Sequence, residues 1–138
     1  MPPSLRDQLA PGAVFRAEWR FAGGTVKQKF FVVMHVDTKN DRILAFVTTS
    51  QLQFFKDNPR LECEIVRVEP GLFRPFTKET AIDCRDPYRI QIGKLDQLRA
   101  DGKLEVKGSL PSPVMVKVFD TVRASRLLPR RLKRLLAP

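Results

Sequence analysis

The chain predicts a mainly β domain, a small barrel of about five to seven short strands with a C-terminal helix packed on it. Three patterns carry that expectation. Across residues 13–21, Phe15, Ala17, Trp19 and Phe21 alternate with Arg16, Glu18 and Arg20, the period of a half-buried strand. Residues 29–37 and 42–49 are apolar runs of strand length, joined by the turn-forming stretch Asp37-Thr38-Lys39-Asn40-Asp41. Near the end, Met115, Val118, Phe119 and Val122 recur at spacings of three and four, the apolar stripe of a helix.

The remaining elements follow in order. Residues 1–10 read as a flexible segment, and Pro11-Gly12 turns the chain into its first strand. Gly23-Gly24-Thr25 connects that strand to the next. Residues 51–60, with Asn58-Pro59, read as a loop or short helical turn. Residues 61–69 read as a strand with Leu61, Cys63 and Ile65 on one side, stopped by Pro70-Gly71. The stretch 71–77 is irregular and anchored by Phe73 and Phe76. Residues 80–85 and 88–92 read as short strands separated by Asp86-Pro87, because proline withdraws a ladder donor. One or two helical turns at 95–100 and a brief strand at 103–107 complete the sheet. Ser112 reads as the N-cap of the long helix, with Pro113 at its first position. Trp19 and His35 read as packed residues on their strands.

Size and composition set the class. With 138 residues, 43% of them hydrophobic and 29% charged, the chain is one domain with a self-sufficient core and a charged surface. No apolar run approaches the roughly 20 residues that span a bilayer, and the first residues lack the apolar core of a signal peptide. Cys63 and Cys84, 21 positions apart, then read as reduced thiols of a cytoplasmic protein that fill strand positions. His35 is the sole histidine, so neither a metal site nor a cofactor is expected. The formal net charge of +10 suits either solubility or a polyanionic partner. From Thr121 onward, Arg123, Arg126, Arg130, Arg131, Lys133 and Arg134 carry no acid among them. Residues 129–138 therefore read as a basic tail that either solubilises the chain or docks a partner.

In an antiparallel hairpin the start of one strand lies beside the end of its partner. Lys27 and Lys29 at the start of the first run should meet Thr48, Thr49 and Ser50 at the end of the second. Cations and hydroxyl donors on a rigid sheet edge suit an anionic phosphodiester. Phe54, just beyond, can stack on an unpaired base or anchor the core. Thr48, Thr49 and Ser50 equally suit a plain strand end.

Several stretches resemble the MazF/PemK family of toxin ribonucleases. Pro11-Gly12-Ala13-Val14-Phe15 sits where that family opens its first strand, and residues 23–36 sit where a glycine-containing loop leads to Arg-Pro and an apolar strand. Val47-Thr48-Thr49-Ser50-Gln51 matches a strand ending in a Thr-Ser pair. Ile82-Asp83-Cys84-Arg85-Asp86-Pro87 resembles the late strand that bears catalytic side chains, and Gly108-Ser109-Leu110 echoes the entry to the last helix. The resemblance spans residues 11–128. It implies an SH3-like barrel, a homodimer, an antitoxin protein as partner and metal-independent cleavage of single-stranded RNA by the substrate's own 2′-hydroxyl. Carried over, Lys29 stabilises phosphate charge or protonates the leaving oxygen, and Thr49 holds a phosphate oxygen. Asp83 and Arg85, two apart on one strand, serve as base and charge stabiliser. Lys27, Thr48, Ser50 and Phe54 form the surrounding RNA-binding surface.

This chain has Lys29-Phe30 where the family has Arg-Pro, and lysine cannot make the bidentate phosphate contact of a guanidinium. Its late strand reads Asp83-Cys84-Arg85 where some members have Arg-x-Asp. A barrel that binds nucleic acid or an acidic protein without turnover is the alternative, and Asp83 with Arg85 as a plain surface ion pair is part of it.

Overall fold

The computed structural model describes residues 4–138, which form seven strands and five α-helices. The strands are β1 (Ala13–Arg20), β2 (Val26–Asp37), β3 (Arg42–Thr49), β4 (Ile65–Val68), β5 (Thr80–Asp83), β6 (Tyr88–Gln91) and β7 (Leu104–Ser109). All pairings are antiparallel, in the order β4-β5-β3-β2-β1-β7, with β6 also on β3. The mainly β reading holds, and so does the C-terminal helix packed on the sheet.

The β1–β2 turn places Gly23 and Gly24 at φ of +93° and +86°, a backbone region costly for residues with a Cβ. The β2–β3 turn is closed by Asp37, whose carboxylate accepts the Asn40 backbone N–H at 3.2 Å. The β2–β3 ladder ends at Phe31 opposite Val47. Beyond it the two strands part. Phe30 and Lys29 continue along β1, opposite Arg16 and Ala17, while Thr48 and Thr49 pair with Ile82 and Ala81 of β5. A fork therefore opens at the rim where cations and hydroxyls were expected to meet.

The sheet is apolar on both faces. On one, Phe15, Phe31, Ile43 and Ile90 pack with Leu5 from α1 (Leu5–Gln8) and Leu95 from α3 (Ile92–Ala100). On the other, Val32, Phe46 and Ile82 meet Val118 and Val122 of α4 (Ser112–Ala124) and Leu136 of α5 (Arg130–Leu136). Burying such a side chain stabilises by roughly 1.5–3 kcal/mol, so each helix is held mainly by its apolar stripe. Trp19 is buried as expected, and so are the two anchors Phe73 and Phe76.

Several sequence expectations are corrected. The described part of the N-terminal segment is not loose: Ser4 caps α1 by accepting the Asp7 N–H, and Leu5 and Leu9 are buried. Residues 1–3 of that segment lie outside the described residues. Pro59–Glu64 is a 3₁₀ helix rather than the start of a strand, and Cys63 on it is exposed. Cys84 is buried, which pushes its thiol pKa up, and both cysteines are free thiols. Helix α4 begins at Ser112 with Pro111 as N-cap, so Ser112 supplies no side-chain cap. The tail is not a frayed end, because α5 docks through Leu132 and Leu136, with Leu128 of the turn before it.

One buried polar cluster was not anticipated. Glu64, 2% exposed, accepts a hydrogen bond from the Ser125 hydroxyl and another from the Arg126 backbone N–H at 3.2 Å. Ser125 Oγ in turn accepts the N–H groups of Leu127 and Leu128, each at 3.1 Å. This cluster ties the 3₁₀ segment to the end of α4 and turns the chain towards α5.

Candidate functional site

A cleft of about 230 Å³ occupies the fork between β2 and β3. Lys29, Thr48, Thr49 and Ser50 line it, as do Phe76, Thr77 and Lys78 from the loop before β5. Strand alternation puts Lys29, Val47 and Thr49 on one sheet face, shared by Ala81 and Asp83 of β5. Lys29 is half-buried there. Burial lowers its pKa from the ordinary lysine value, and the neighbouring charge of Lys27 lowers it further. Thr49 Oγ1 accepts the Gln51 backbone N–H at 3.1 Å, which leaves its own proton free to donate into the cleft. Ser50 is exposed at the mouth.

Thr48 plays a different part. At 2% exposed it lies on the face opposite Thr49, paired with Ile82, and it reaches the cleft from that side. Lys27 lies two residues before Lys29, opposite Trp19, exposed and outside the cleft lining.

Asp83 and Arg85 do not line this cleft. They line a neighbouring concavity with Val47, Asp86, Tyr88 and Leu127. Val47 and Asp83 each stand two positions from the Thr49–Ala81 pair. Along β3 and β5 the backbone of Val47 and Asp83 thus lies one side-chain repeat, about 7 Å at roughly 3.3 Å per residue, from that of Thr49 and Ala81. Within the second, Arg85 is closed onto Asp83: Nε donates to Oδ1 at 2.9 Å, Nη2 to Oδ2 at 2.8 Å, and the Arg85 backbone N–H to Oδ1 at 3.1 Å. That pairing raises the Arg85 pKa. Its guanidinium lies 5.2 Å from the ring centre of Phe54 and 5.4 Å from that of Phe55. Both rings sit on α2 (Gln53–Asp57), where Phe55 is buried as a core anchor while Phe54 is 50% exposed. Phe54 is thereby a half-exposed ring in contact with a cation.

Two lining residues escaped the sequence reading. Lys78 brings a second cation to the cleft, and Tyr88 borders the second concavity, its pKa raised by burial and then by Asp83 and Asp86. The stretch Thr77-Lys78-Glu79-Thr80 offered a polar signal, but only the path fixed by Phe73 and Phe76 brings it to the fork. Among the described residues no group of three or more His, Cys, Asp or Glu side chains could hold a metal ion. None of the described helices is long and apolar enough to cross a membrane.

Comparisons with protein-family models, with curated proteins and with solved structures found no match for this chain.

Proposed function

We propose that this protein is an endoribonuclease that binds a phosphodiester of single-stranded RNA in the β2–β3 fork and cleaves it without metal. The observation that carries the proposal is the convergence of the partly desolvated Lys29 ammonium and the free Thr49 hydroxyl proton in one cleft, with Lys78 on its far wall. Thr49 donates to a non-bridging phosphate oxygen. Lys29 neutralises the extra charge of the phosphorane, where a pre-placed cation with little water around it acts most strongly. The 2′-oxygen attacks phosphorus and the bond from phosphorus to the 5′-oxygen breaks. The departing oxygen takes a proton from Lys29, leaving a 2′,3′-cyclic phosphate. The 2′-hydroxyl proton passes to Asp83, one side-chain repeat away, once Arg85 swings from the carboxylate towards the phosphate. Phe54 receives a flanking base.

The resemblance in sequence extends this reading to a homodimeric toxin restrained by an antitoxin protein, for which growth arrest on expression is the readout. The decisive experiment is incubation of purified protein with single-stranded RNA in EDTA. Cyclic phosphate ends are expected, and the double substitution Lys29→Ala with Thr49→Ala abolishes them while leaving the thermal melt unchanged. Failure to degrade RNA at any salt concentration ends the catalytic proposal.

A second reading has its own support: the residues lining the fork include no carboxylate and no imidazole. On that reading the cleft holds a phosphodiester without turning it over, and the same assay gives salt-dependent binding with intact RNA.

A further inference from the structure

We infer that α5 and the turn before it form a second phosphate-binding surface, separate from the fork, that holds the backbone of the same RNA strand. Arg126, Arg130, Arg131 and Arg134 are all exposed, and none forms an ion pair among the described residues. Elsewhere several surface arginines are paired: Arg6 with Asp41, Arg16 with Glu105, Arg42 with Asp37, and Arg67 with Glu62 and Glu79. Arg20, Arg60, Arg74 and Arg89 also lack an ion pair among the described residues, but they stand singly on separate stretches, whereas residues 126–134 gather four unpaired arginines.

The cations are also fixed in place. Leu128, Leu132 and Leu136 pack into the core, so α5 presents its arginines from a rigid support, with little ordering left to lose on binding. Ser125, bonded to Glu64, sets the turn that carries Arg126. All four of these side chains are guanidinium groups, whose fork matches phosphate oxygens. Helix α5 lies against β2, the strand that brings Lys29 to the fork, so both cationic surfaces belong to one packing unit. This continuity favours a single extended polyanion over an acidic protein. Leu127 and Leu135, partly exposed beside the arginines, are the feature an acidic amphipathic peptide would use instead.

The inference shares with the proposed function only the choice of RNA as partner, and it requires no cleavage. The test uses the full chain carrying Arg130→Gln, Arg131→Gln and Arg134→Gln, with oligouridine binding followed by fluorescence anisotropy over a salt series. The slope of log Kd against log salt should fall by about 2, because each phosphate contact on a single strand contributes about 0.7. The matching triple substitution to lysine should keep most of the slope. Should the glutamine triple lose its thermal transition, the pair Arg126→Gln with Arg131→Gln serves in its place, with an expected fall of about 1.4. An unchanged slope overturns the inference, as does tighter binding of polyglutamate than of RNA at equal salt. A reduced slope in a protein that never cleaves RNA upholds this surface and removes the catalytic proposal. Loss of cleavage in Lys29→Ala with Thr49→Ala, its slope falling by about the 0.7 of one phosphate contact, together with the larger fall in the glutamine triple, upholds both.

Discussion

Arg85 donates to both carboxylate oxygens of Asp83, at 2.9 and 2.8 Å, while its guanidinium lies over the rings of Phe54 and Phe55. One side chain thus couples a carboxylate to an aromatic face. Because the pair is partly exposed, its coupling should be modest. A double-mutant cycle of Asp83→Asn and Arg85→Gln, read by urea denaturation, should give about 1 kcal/mol or less. A coupling of several kcal/mol would mean that the pair anchors the fold instead. Phe54→Ala should leave the melt nearly unchanged and weaken RNA binding by about 1–3 kcal/mol. Equal affinity in that variant removes Phe54 from the RNA surface.

The lowered pKa of Lys29 gives the cleft a pH signature. The sign follows from which state binds more protons. Burial disfavours the ammonium in the folded protein, so Lys29 releases its proton below the ordinary value of 10.5, whereas the unfolded chain holds it up to that value. The desolvation penalty is therefore present at neutral pH and is relieved as pH rises through the folded pKa towards 10.5. Function runs the opposite way, since phosphate binding needs the charge. Affinity for RNA, measured by anisotropy across an alkaline series, should decline at lower pH than an exposed lysine would cause. Lys29→Arg, which keeps its charge, should move that decline upward. An identical alkaline limb in the two proteins would place the titrating group elsewhere.

The buried Glu64–Ser125 pair makes a prediction about stability alone. Ser125→Ala removes a donor to the carboxylate and the acceptor for two backbone N–H groups. Leaving such groups unsatisfied costs about 1–3 kcal/mol, which urea denaturation will register. Ser125→Thr keeps the hydroxyl and should recover most of the loss. A Ser125→Ala protein as stable as wild type would show that water or a side-chain shift replaces the hydroxyl.

How much of this was legible in the sequence depended on the range of the interactions. The alternation of Phe15, Ala17 and Trp19 identified β1 because a period of two repeated over several residues has few other solutions. The spacing of Leu61, Cys63 and Ile65 is the same period over too short a stretch. Pro59 and the hydrogen bond from the Leu61 N–H to the Asn58 carbonyl wind it into a 3₁₀ helix instead. Leu5 and Leu9, with Ser4 and Asp7 placed as a cap, did carry a helical signature, but a short amphipathic segment declares itself only once a sheet face exists to receive it. The register shift between Val33 and His35 has no local marker either.

The site divides the same way. Lys29 and Thr49 could be brought together on paper because one hairpin relates them. The burial of Thr48 could not, since it depends on which face of β3 the helix α4 covers. Asp83 ends β5 and Arg85 lies in the bend beyond it rather than on the same strand as expected, so their offset from the cleft was set by the β3–β5 pairing. The closure of Arg85 onto Asp83 required knowing that Phe54 and Phe55 would support its guanidinium.

The cleft exists only for as long as the β2–β3 zipper stays undone past Phe31 and Val47. Each further rung would draw the rims together by adding pairs that β2 and β3 do not now make beyond Phe31 and Val47. The size of the binding site is in this sense a stopping point in strand pairing, and substitutions that lengthen the hairpin would shrink it without touching a single polar side chain.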